Sequence, residues 1–377
     1  MAGEGSGRRK DLDRLRIIAC LSTFCYHAVQ VFDLNPYYHV KSNTLSPAID
    51  VAARLLHAVR MPLFFMIAGM VGFLAMQRYS DREFMRQRAW RLLPPFLVGI
   101  VFLTPIVKYI EMLDGRSIDW RGIILTDVVV PDLPTFLRRY FTQQRWFSWS
   151  HMWFPAYLLL LGAVLMPAMR ALARKAWPPR LPHWLGLALP LLALVTIELV
   201  LRPIFPHHVP NLIWDWASMS VYIVVMLAGA TMIHWPMLET ALQRGLPLSL
   251  LLAAWGLTLY LGFDIWPWRG IGRAMTLWAT LCIVIGLGPW LGRGRISGER
   301  YMTEAVLPLY VLHHMPLLVI AFAVKDQPWP IGQRYLLIVF GSFAISLAAY
   351  HLLVRPFAIM RTAFGLPPQV PRTSHPA

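Results

Sequence analysis

The 377-residue chain is 57% apolar and only 14% charged, whereas soluble domains carry about a quarter charged residues. This composition excludes an ordinary soluble domain and predicts an integral membrane protein. The net charge of +16 would suit nucleic-acid binding, but the basic residues punctuate apolar stretches and form no single solvated face. Nucleic acid is therefore excluded as a partner, and membrane lipids are expected as one.

Ten apolar stretches are long enough to cross a hydrocarbon core of roughly 30 Å. They predict an all-α polytopic fold with about ten transmembrane helices near 13–33, 56–77, 92–110, 152–172, 184–201, 216–234, 246–263, 272–292, 302–323 and 335–354. We expect one membrane domain over 10–360, flanked by disordered tails at 1–9 and 361–377. No internal repeat is visible, which argues against an inverted-repeat transporter. All three cysteines fall inside predicted spans, where buried, unpaired thiols are expected.

The basic clusters indicate the orientation of the spans. In the ten-span arrangement, those within 8–16, 78–91, 170–180 and 293–300 all lie on the side of the termini. The positive-inside rule then places both termini in the cytoplasm.

The first span pairs Arg16 with His27, eleven residues later. Eleven residues make about three helical turns, so the two side chains share a face and lie roughly 16 Å apart along the axis. If Arg16 marks the cytoplasmic surface, His27 lies deep in the bilayer. An imidazole is costly there unless it faces a cavity and has a task.

Arg88 and Arg91 precede the third span and share a helical face. With Arg16 they could form a funnel for a phosphorylated ligand such as coenzyme A, because guanidinium groups match phosphate oxygens. The alternative is ordinary positive-inside anchoring.

The long segment 111–150 is predicted to lie outside the cytoplasm. Its basic and aromatic residues could form a lid over a cavity; they include Arg138, Arg139, Arg145, Trp146 and Trp149. The alternative is an interfacial helix whose tryptophans join the aromatic belt.

Other polar residues are candidates for the same site. His151 opens the fourth span, and the adjacent His313 and His314 lie in the ninth, where at most one can face a given cavity. We expect His313 rather than His314 to face it, although a histidine can also serve only as a hydrogen-bonding link between helices. Asp215 could orient an imidazole or hold a sugar hydroxyl, or be a solvated loop-end carboxylate. His27 with His313 could imitate a pair of haem ligands, but no second pair exists at helical spacing, and we expect no metal.

Taken in order, these motifs resemble those of the membrane-bound acyltransferase-3 family over residues 10–360, and its periplasmic-glucan succinyltransferase branch in particular. The first-span motif is an arginine, ten residues and a histidine. The matching segments are 11–16 with 26–27, 84–96, 151–154, 310–313, and, for the branch, 62–69 and 215–216. Ala68 departs from the serine that many relatives have.

The resemblance implies an O-acyltransferase of the bacterial inner membrane. It would move an acetyl or succinyl group from cytoplasmic acyl-CoA to a hydroxyl of an extracytoplasmic carbohydrate. His27 would be the general base or carry the acyl group, assisted by His313 or Asp215. Arg16, Arg88 and Arg91 would bind the donor. The acceptor would be bound by His151, Trp153, Trp146 and Tyr310.

No tightly bound cofactor is expected, and acyl-CoA would act as a substrate. A transporter or exporter of an anionic or lipid-linked substrate is the rival interpretation, and a non-catalytic sensor or scaffold is a third. The sequence leaves the acyl group, the acceptor and the oligomeric state open. A succinyl group would need an extra cation near His27, and no unmatched candidate stands out in the spans.

Overall fold

The computed structural model describes residues 9–176, 182–206 and 209–367. Most of the described residues are helical. The helices are α1 Lys10–Val29, α2 Pro47–Met76, α3 Asp81–Val98, α4 Thr104–Leu113, α5 Leu133–Thr142, α6 Trp153–Val164, α7 Met166–Ala173, α8 His183–Thr196, α9 Trp216–His234, α10 Met237–Arg244, α11 Leu246–Gly262, α12 Trp268–Gly286, α13 Gly288–Leu291, α14 Glu299–Leu312, α15 His314–Val324, α16 Ile331–Ala349 and α17 Ala358–Ala363. The strands β1 Arg116–Ile118 and β2 Ile124–Thr126 form a short antiparallel hairpin.

Three five-residue π-helical segments interrupt the α-helical pattern. Gly99–Leu103 joins α3 to α4, Ile197–Leu201 extends α8, and Tyr350–Val354 extends α16. Because the π segment keeps the chain helical, α3 and α4 form one continuous helix over Asp81–Leu113. This helix is longer than the predicted span at 92–110, since its first three turns carry the charged residues that precede the apolar stretch.

Five helices of the described chain are long and apolar enough to cross a membrane, and eight if each of three bent pairs counts as one span. The bends are 49° between α6 and α7, 69° between α10 and α11, and 55° between α14 and α15. These numbers support a multi-pass membrane protein. They do not reach the ten spans predicted from hydropathy, which counted continuous apolar stretches without regard to bends or to the polar residues on α1.

Described residues of both predicted tails contact the bundle. Residues 361–377 were expected to be disordered, yet α17 includes Arg361, whose guanidinium donates a 2.9 Å hydrogen bond to Glu304. Arg9, predicted to belong to the N-terminal tail, pairs with Asp11 at 2.7 Å and Glu239 at 3.0 Å. These ion pairs hold Arg9 and Arg361 against the bundle. The rest of each predicted tail, 1–8 and 368–377, lies outside the described residues.

Helix α1 occupies the middle of the bundle, where it packs against α2, α14, α15 and α16. Helices α2 and α9 pack closely because each has a glycine against the backbone of the other. A Cβ atom added at Gly69 would collide with the carbonyl of Met226, and one at Gly229 with the carbonyl of Met66. Small residues at such crossings let helices approach closely in membranes. This contact fixes two of the helices that bear the site described below.

We expect Gly69→Ala to destabilise the protein, since an extra methyl group in a tight contact typically costs about 1–3 kcal/mol. Thermal unfolding of the detergent-solubilised protein, followed by tryptophan fluorescence, measures the effect. Gly262→Ala is the matched control, because a Cβ there meets no atom within 4 Å. Equal melting temperatures for the two variants would contradict the close packing of α2 on α9.

Candidate active site

A cavity of about 360 Å³ opens between α1, α2, α9 and the segment that precedes α6. We call it the chamber. Five histidines of the described residues line it, one from each of five separate parts of the chain: His27 in α1, His39 in the following loop, His57 in α2, His151 before α6 and His314 at the start of α15. The fold thereby collects imidazoles that lie up to 287 residues apart in the sequence.

His27 is held in one tautomer by its two neighbours. Its Nδ1 donates to the side-chain oxygen of Gln30 at 3.1 Å, so in the neutral ring Nε2 keeps its lone pair. That lone pair accepts a 3.3 Å contact from Nη1 of Arg60. His27 therefore presents an oriented basic nitrogen in the chamber, next to a positive charge.

The two adjacent histidines take opposite positions from those expected. His314 lines the chamber with its ring centroid 4.6 Å from that of His27. His313 is fully buried outside the lining, and its Nδ1 donates to the carbonyl of Tyr310 at 2.6 Å. The 55° bend between α14 and α15 falls at this dipeptide and gives His314 the inward position.

The predicted acceptor residues His151 and Tyr310 are joined to each other and to the helices. The His151 ring lines the chamber, and its Nε2 donates to the carbonyl of Val311 at 3.0 Å. The hydroxyl of Tyr310 donates to the backbone carbonyl of His151. Tyr310 is buried and does not belong to the chamber lining, so its contact positions the backbone before α6.

Asp215 also lines the chamber but is hydrogen-bonded elsewhere than expected. It precedes α9 and is almost completely buried. Its Oδ2 accepts a 2.5 Å hydrogen bond from the hydroxyl of Tyr157. Within the described chain, its hydrogen bonds do not include one to His27, whose tautomer is fixed by Gln30. The expected solvated carboxylate is likewise absent at this position, because Asp215 is enclosed.

Residues of the segment 111–150 form one wall of the chamber. Trp120, Phe147 and Trp149 line the chamber together with Trp153, which stacks on Tyr222. The predicted lid residue Trp146 lies behind this wall instead. Its ring packs edge-on against Phe136, and the guanidinium of Arg139 covers it at 5.4 Å. Arg138 and Arg145 are exposed.

The three predicted donor-binding arginines lie near one another. Arg91 is close enough to interact electrostatically with both Arg16 and Arg88. Arg88 extends between helices, where it donates to the carbonyl of Leu158 at 3.1 Å and leaves room only for glycine at position 162. Arg16 lies 3.6 Å from Asp13. We call Arg16, Arg88 and Arg91 the basic cluster. Its member on α1, Arg16, lies about three helical turns from His27.

Sequence reasoning missed Arg60, which supplies the cation that seemed lacking near His27. Its side chain is only 7% exposed, and its guanidinium lies 3.8 Å from the ring centre of Tyr26. No carboxylate of the described residues forms a salt bridge with it, and its Nε is without a hydrogen-bond partner there. The sequence did contain a signal for Arg60, because a charged residue inside a predicted span, here 56–77, often has a functional role.

A buried ion pair fixes the loop that carries His39. The ammonium of Lys41 contacts the carboxylate of Asp33 at 2.6 Å and the carbonyl of Gln30 at 2.7 Å. Burial lowers the pKa of Lys41 and raises the pKa of Asp33, so each charged form depends on its partner. The pair ties the loop back to the end of α1.

The chain is similar to known proteins over most of its length. A family model described as an acyltransferase domain matches residues 9–351. The chain belongs to the acyltransferase-3 family. Glucans biosynthesis protein C of Salmonella heidelberg, Salmonella agona and Salmonella enteritidis is 23% identical to this acyltransferase over 335 residues, which cover 83% of each chain.

Membership makes the chain a membrane acyltransferase and favours the enzyme prediction over the transporter and the sensor. The residues of the first-span motif, Arg16 and His27, fall within the matched segment. The chamber around His27 and the basic cluster around Arg91 are accordingly the candidate sites for acyl transfer.

Proposed function

We propose that this acyltransferase moves an acyl group from cytoplasmic acyl-CoA to a hydroxyl of an extracytoplasmic carbohydrate, such as a periplasmic glucan. In this arrangement the enzyme lies in the inner membrane with both termini in the cytoplasm. The observation that carries the proposal is the oriented imidazole of His27 inside the chamber. The names of the relatives support a glucan as the acceptor.

The basic cluster is the donor site. Arg16, Arg88 and Arg91 bind the phosphates of coenzyme A, since guanidinium groups pair with phosphate oxygens in charge-assisted hydrogen bonds. The pantetheine arm then extends toward the chamber, along a distance comparable to the roughly 16 Å between Arg16 and His27 on α1. The thioester reaches His27 while the charged nucleotide stays at the surface.

The wall formed by 111–150 is the acceptor side. Trp120, Trp149 and Trp153 offer flat apolar faces to sugar rings, and Asn211 and Asp215 add polar groups to the lining. Nε2 of His27 takes the proton of the acceptor hydroxyl as that oxygen attacks the acyl carbonyl. The hydroxyl replaces Arg60 as the partner of Nε2, and the freed guanidinium faces the negative charge that develops on the carbonyl oxygen.

Arg60 also favours a succinyl over an acetyl group. A buried guanidinium without a carboxylate partner is costly, and an anionic ligand would offset that cost. The distal carboxylate of a succinyl group is such a ligand, whereas acetyl has no charge to offer. Arg202 and Arg273 in the same lining share Glu198 at 3.3 and 2.5 Å, so they are less free to bind an anion.

His27→Ala is expected to lower acyl transfer by about 10²–10⁴-fold, because a general base typically contributes that much. Purified protein is incubated with radiolabelled succinyl-CoA or acetyl-CoA and a glycan extract, and label in the glycan is counted. His351→Ala is the control, since His351 is exposed and bonds Tyr301 away from the chamber. Unchanged transfer by a folded His27→Ala protein would refute the proposed role.

Arg91→Ala should raise KM for the acyl-CoA donor about tenfold or more and leave kcat almost unchanged. One lost hydrogen bond to a charged group costs about 1.5–3 kcal/mol, and 1.4 kcal/mol is a factor of ten. Steady-state kinetics with varied donor concentration measures this. The matched control is Arg86→Ala on the same helix, where the side chain is exposed and pairs with Glu83. A change in kcat alone would contradict donor binding by Arg91.

Arg60→Met tests the acyl preference, because it keeps much of the side-chain length and removes the charge. We expect the ratio of kcat/KM for succinyl-CoA to that for acetyl-CoA to fall about tenfold, as one charged contact is lost. Arg78→Met, at an exposed position after α2, should leave the ratio unchanged. An equal decrease for both donors would show that Arg60 does not recognise the acyl carboxylate.

A further inference from the structure

The hydroxyl of Ser150 lies between two imidazoles of the chamber. Its Oγ is 3.2 Å from Nε2 of His39 and 3.0 Å from Nδ1 of His314. All three side chains line the chamber. A serine hydroxyl in contact with an imidazole is the arrangement that activates serine as a nucleophile.

His39 is itself oriented by a carboxylate. Its Nδ1 pairs with the side chain of Glu111, so that nitrogen carries the ring proton and Nε2 is free to accept one from Ser150. Glu111 is 0% exposed, and its charge is balanced by the equally buried ammonium of Lys108. Its Oε1 also accepts a 2.7 Å hydrogen bond from the backbone of Ile118. The carboxylate is thus fixed in place, and the imidazole with it.

The second imidazole has a compatible role. The hydroxyl of Tyr38 lies 3.4 Å from Nε2 of His314 and can donate to it, in which case Nδ1 carries the ring proton and donates to Ser150. The proton of Ser150 is then left for His39. Every donor in this chain of contacts faces an acceptor, from Tyr38 through to Glu111.

The backbone at Ser150 is strained. Its φ of 45° lies in the left-handed region, which is unfavourable for a residue with a Cβ atom. Such strain is concentrated at functional sites, and nucleophilic serines of hydrolases lie on comparably sharp turns that lead into a helix. Here the turn leads through Ser150–Met152 into α6, whose N-terminal end favours negative charge nearby.

We propose that Ser150, His39 and Glu111 form a catalytic triad and that Ser150 carries the acyl group between donor and acceptor. The proposal rests on the acyl transfer proposed above and adds a covalent step to it. With the acyl group on Ser150, His27 acts on the acceptor hydroxyl and does not itself carry the group.

In the first half-reaction, Oγ of Ser150 attacks the thioester carbonyl and its proton passes to Nε2 of His39. The tetrahedral adduct collapses as the C–S bond breaks, and His39 gives the proton to the departing sulfur, so coenzyme A leaves as the thiol. Glu111 stabilises the transient imidazolium and stays ionised. The product is an ester of Ser150.

In the second half-reaction, His27 takes the proton of the acceptor hydroxyl, and the acceptor oxygen attacks the ester carbonyl. The bond from the carbonyl carbon to Oγ breaks, and Ser150 regains a proton from Nδ1 of His314, because His39 gave its proton to the sulfur in the first half-reaction. The proton that His27 took from the acceptor passes to His314, whose ring centroid lies 4.6 Å from that of His27, and replaces the proton that His314 gave to Ser150. The sum of the two halves is transfer of one acyl group, with no other reactant consumed.

Labelling by a fluorophosphonate probe tests the nucleophile without any assumption about donor or acceptor. The full-length protein in detergent is treated with the probe, and the labelled peptide is identified by mass spectrometry. We expect labelling at Ser150, at least tenfold weaker in His39→Gln. Ser22→Ala is the control and should label like the wild type, because the hydroxyl of Ser22 donates to a carbonyl of its own helix and forms no hydrogen bond with a histidine of the described residues. Failure of the folded protein to label at Ser150 would overturn the triad.

Trapping of the intermediate tests the covalent step. His27→Ala is incubated with radiolabelled succinyl-CoA or acetyl-CoA in the absence of acceptor, and label bound to protein is located. We expect it on Ser150 as an ester that resists neutral hydroxylamine. In the double variant with Ser150→Cys it should become a thioester that hydroxylamine cleaves, a change that a merely structural serine would not cause.

The outcomes separate the two proposals. Label on Ser150 without acylated glycan would support the triad and reject the acceptor proposed above. Acylated glycan formed by Ser150→Ala at the wild-type rate would overturn the triad and leave the acyl transfer intact. Label found on the His27 ring of the wild-type protein would assign the covalent role to that histidine and overturn the proposal for Ser150.

Discussion

Ionisable side chains buried among apolar helices need partners, and this requirement shapes the whole site. Lys108 and Glu111 are both completely buried and neutralise each other. Arg14 is held by Glu299 and by backbone carbonyls at the end of α13. Removing one member of such a pair would leave an uncompensated charge, so the pairs fix the loops and helix ends around the chamber. Against this background, a buried group without a charge partner, such as Arg60, is available to bind a substrate.

The helical class, the multi-pass character and the motif on α1 could be predicted from the sequence. Long apolar stretches define membrane helices directly, and the spacing of Arg16 and His27 determines their common face because both lie on one uninterrupted helix. The span count could not be predicted in the same way. Hydropathy does not record the 55° bend between α14 and α15, and that bend decides that His314 rather than His313 lines the chamber.

The residues that sequence reasoning missed depend on contacts between distant segments. His39 lies in a loop, whereas Glu111 and Ser150 are the first and last residues of the predicted extracytoplasmic segment 111–150. No spacing in the sequence relates the three. Only the folded chain brings them into hydrogen-bonding distance. Asp215 and Trp146 show the opposite error, because they were predicted to act at the site on the strength of their side-chain chemistry alone. Their partners are Tyr157 and Arg139, and neither reaches His27 by a hydrogen bond in the described chain.

A covalent intermediate solves a problem set by the geometry of the site. In the proposed function the donor phosphates bind at the basic cluster, about three helical turns from His27, whereas the acceptor binds at the aromatic wall. Direct transfer requires the pantetheine thioester and a sugar hydroxyl to meet in one cavity of about 360 Å³. If Ser150 holds the acyl group, the thiol can leave before the sugar enters, and only the small acyl group must be accommodated throughout. His39 and His27 then act as separate bases for the two substrates, and this is why a chamber of this size contains more than one imidazole.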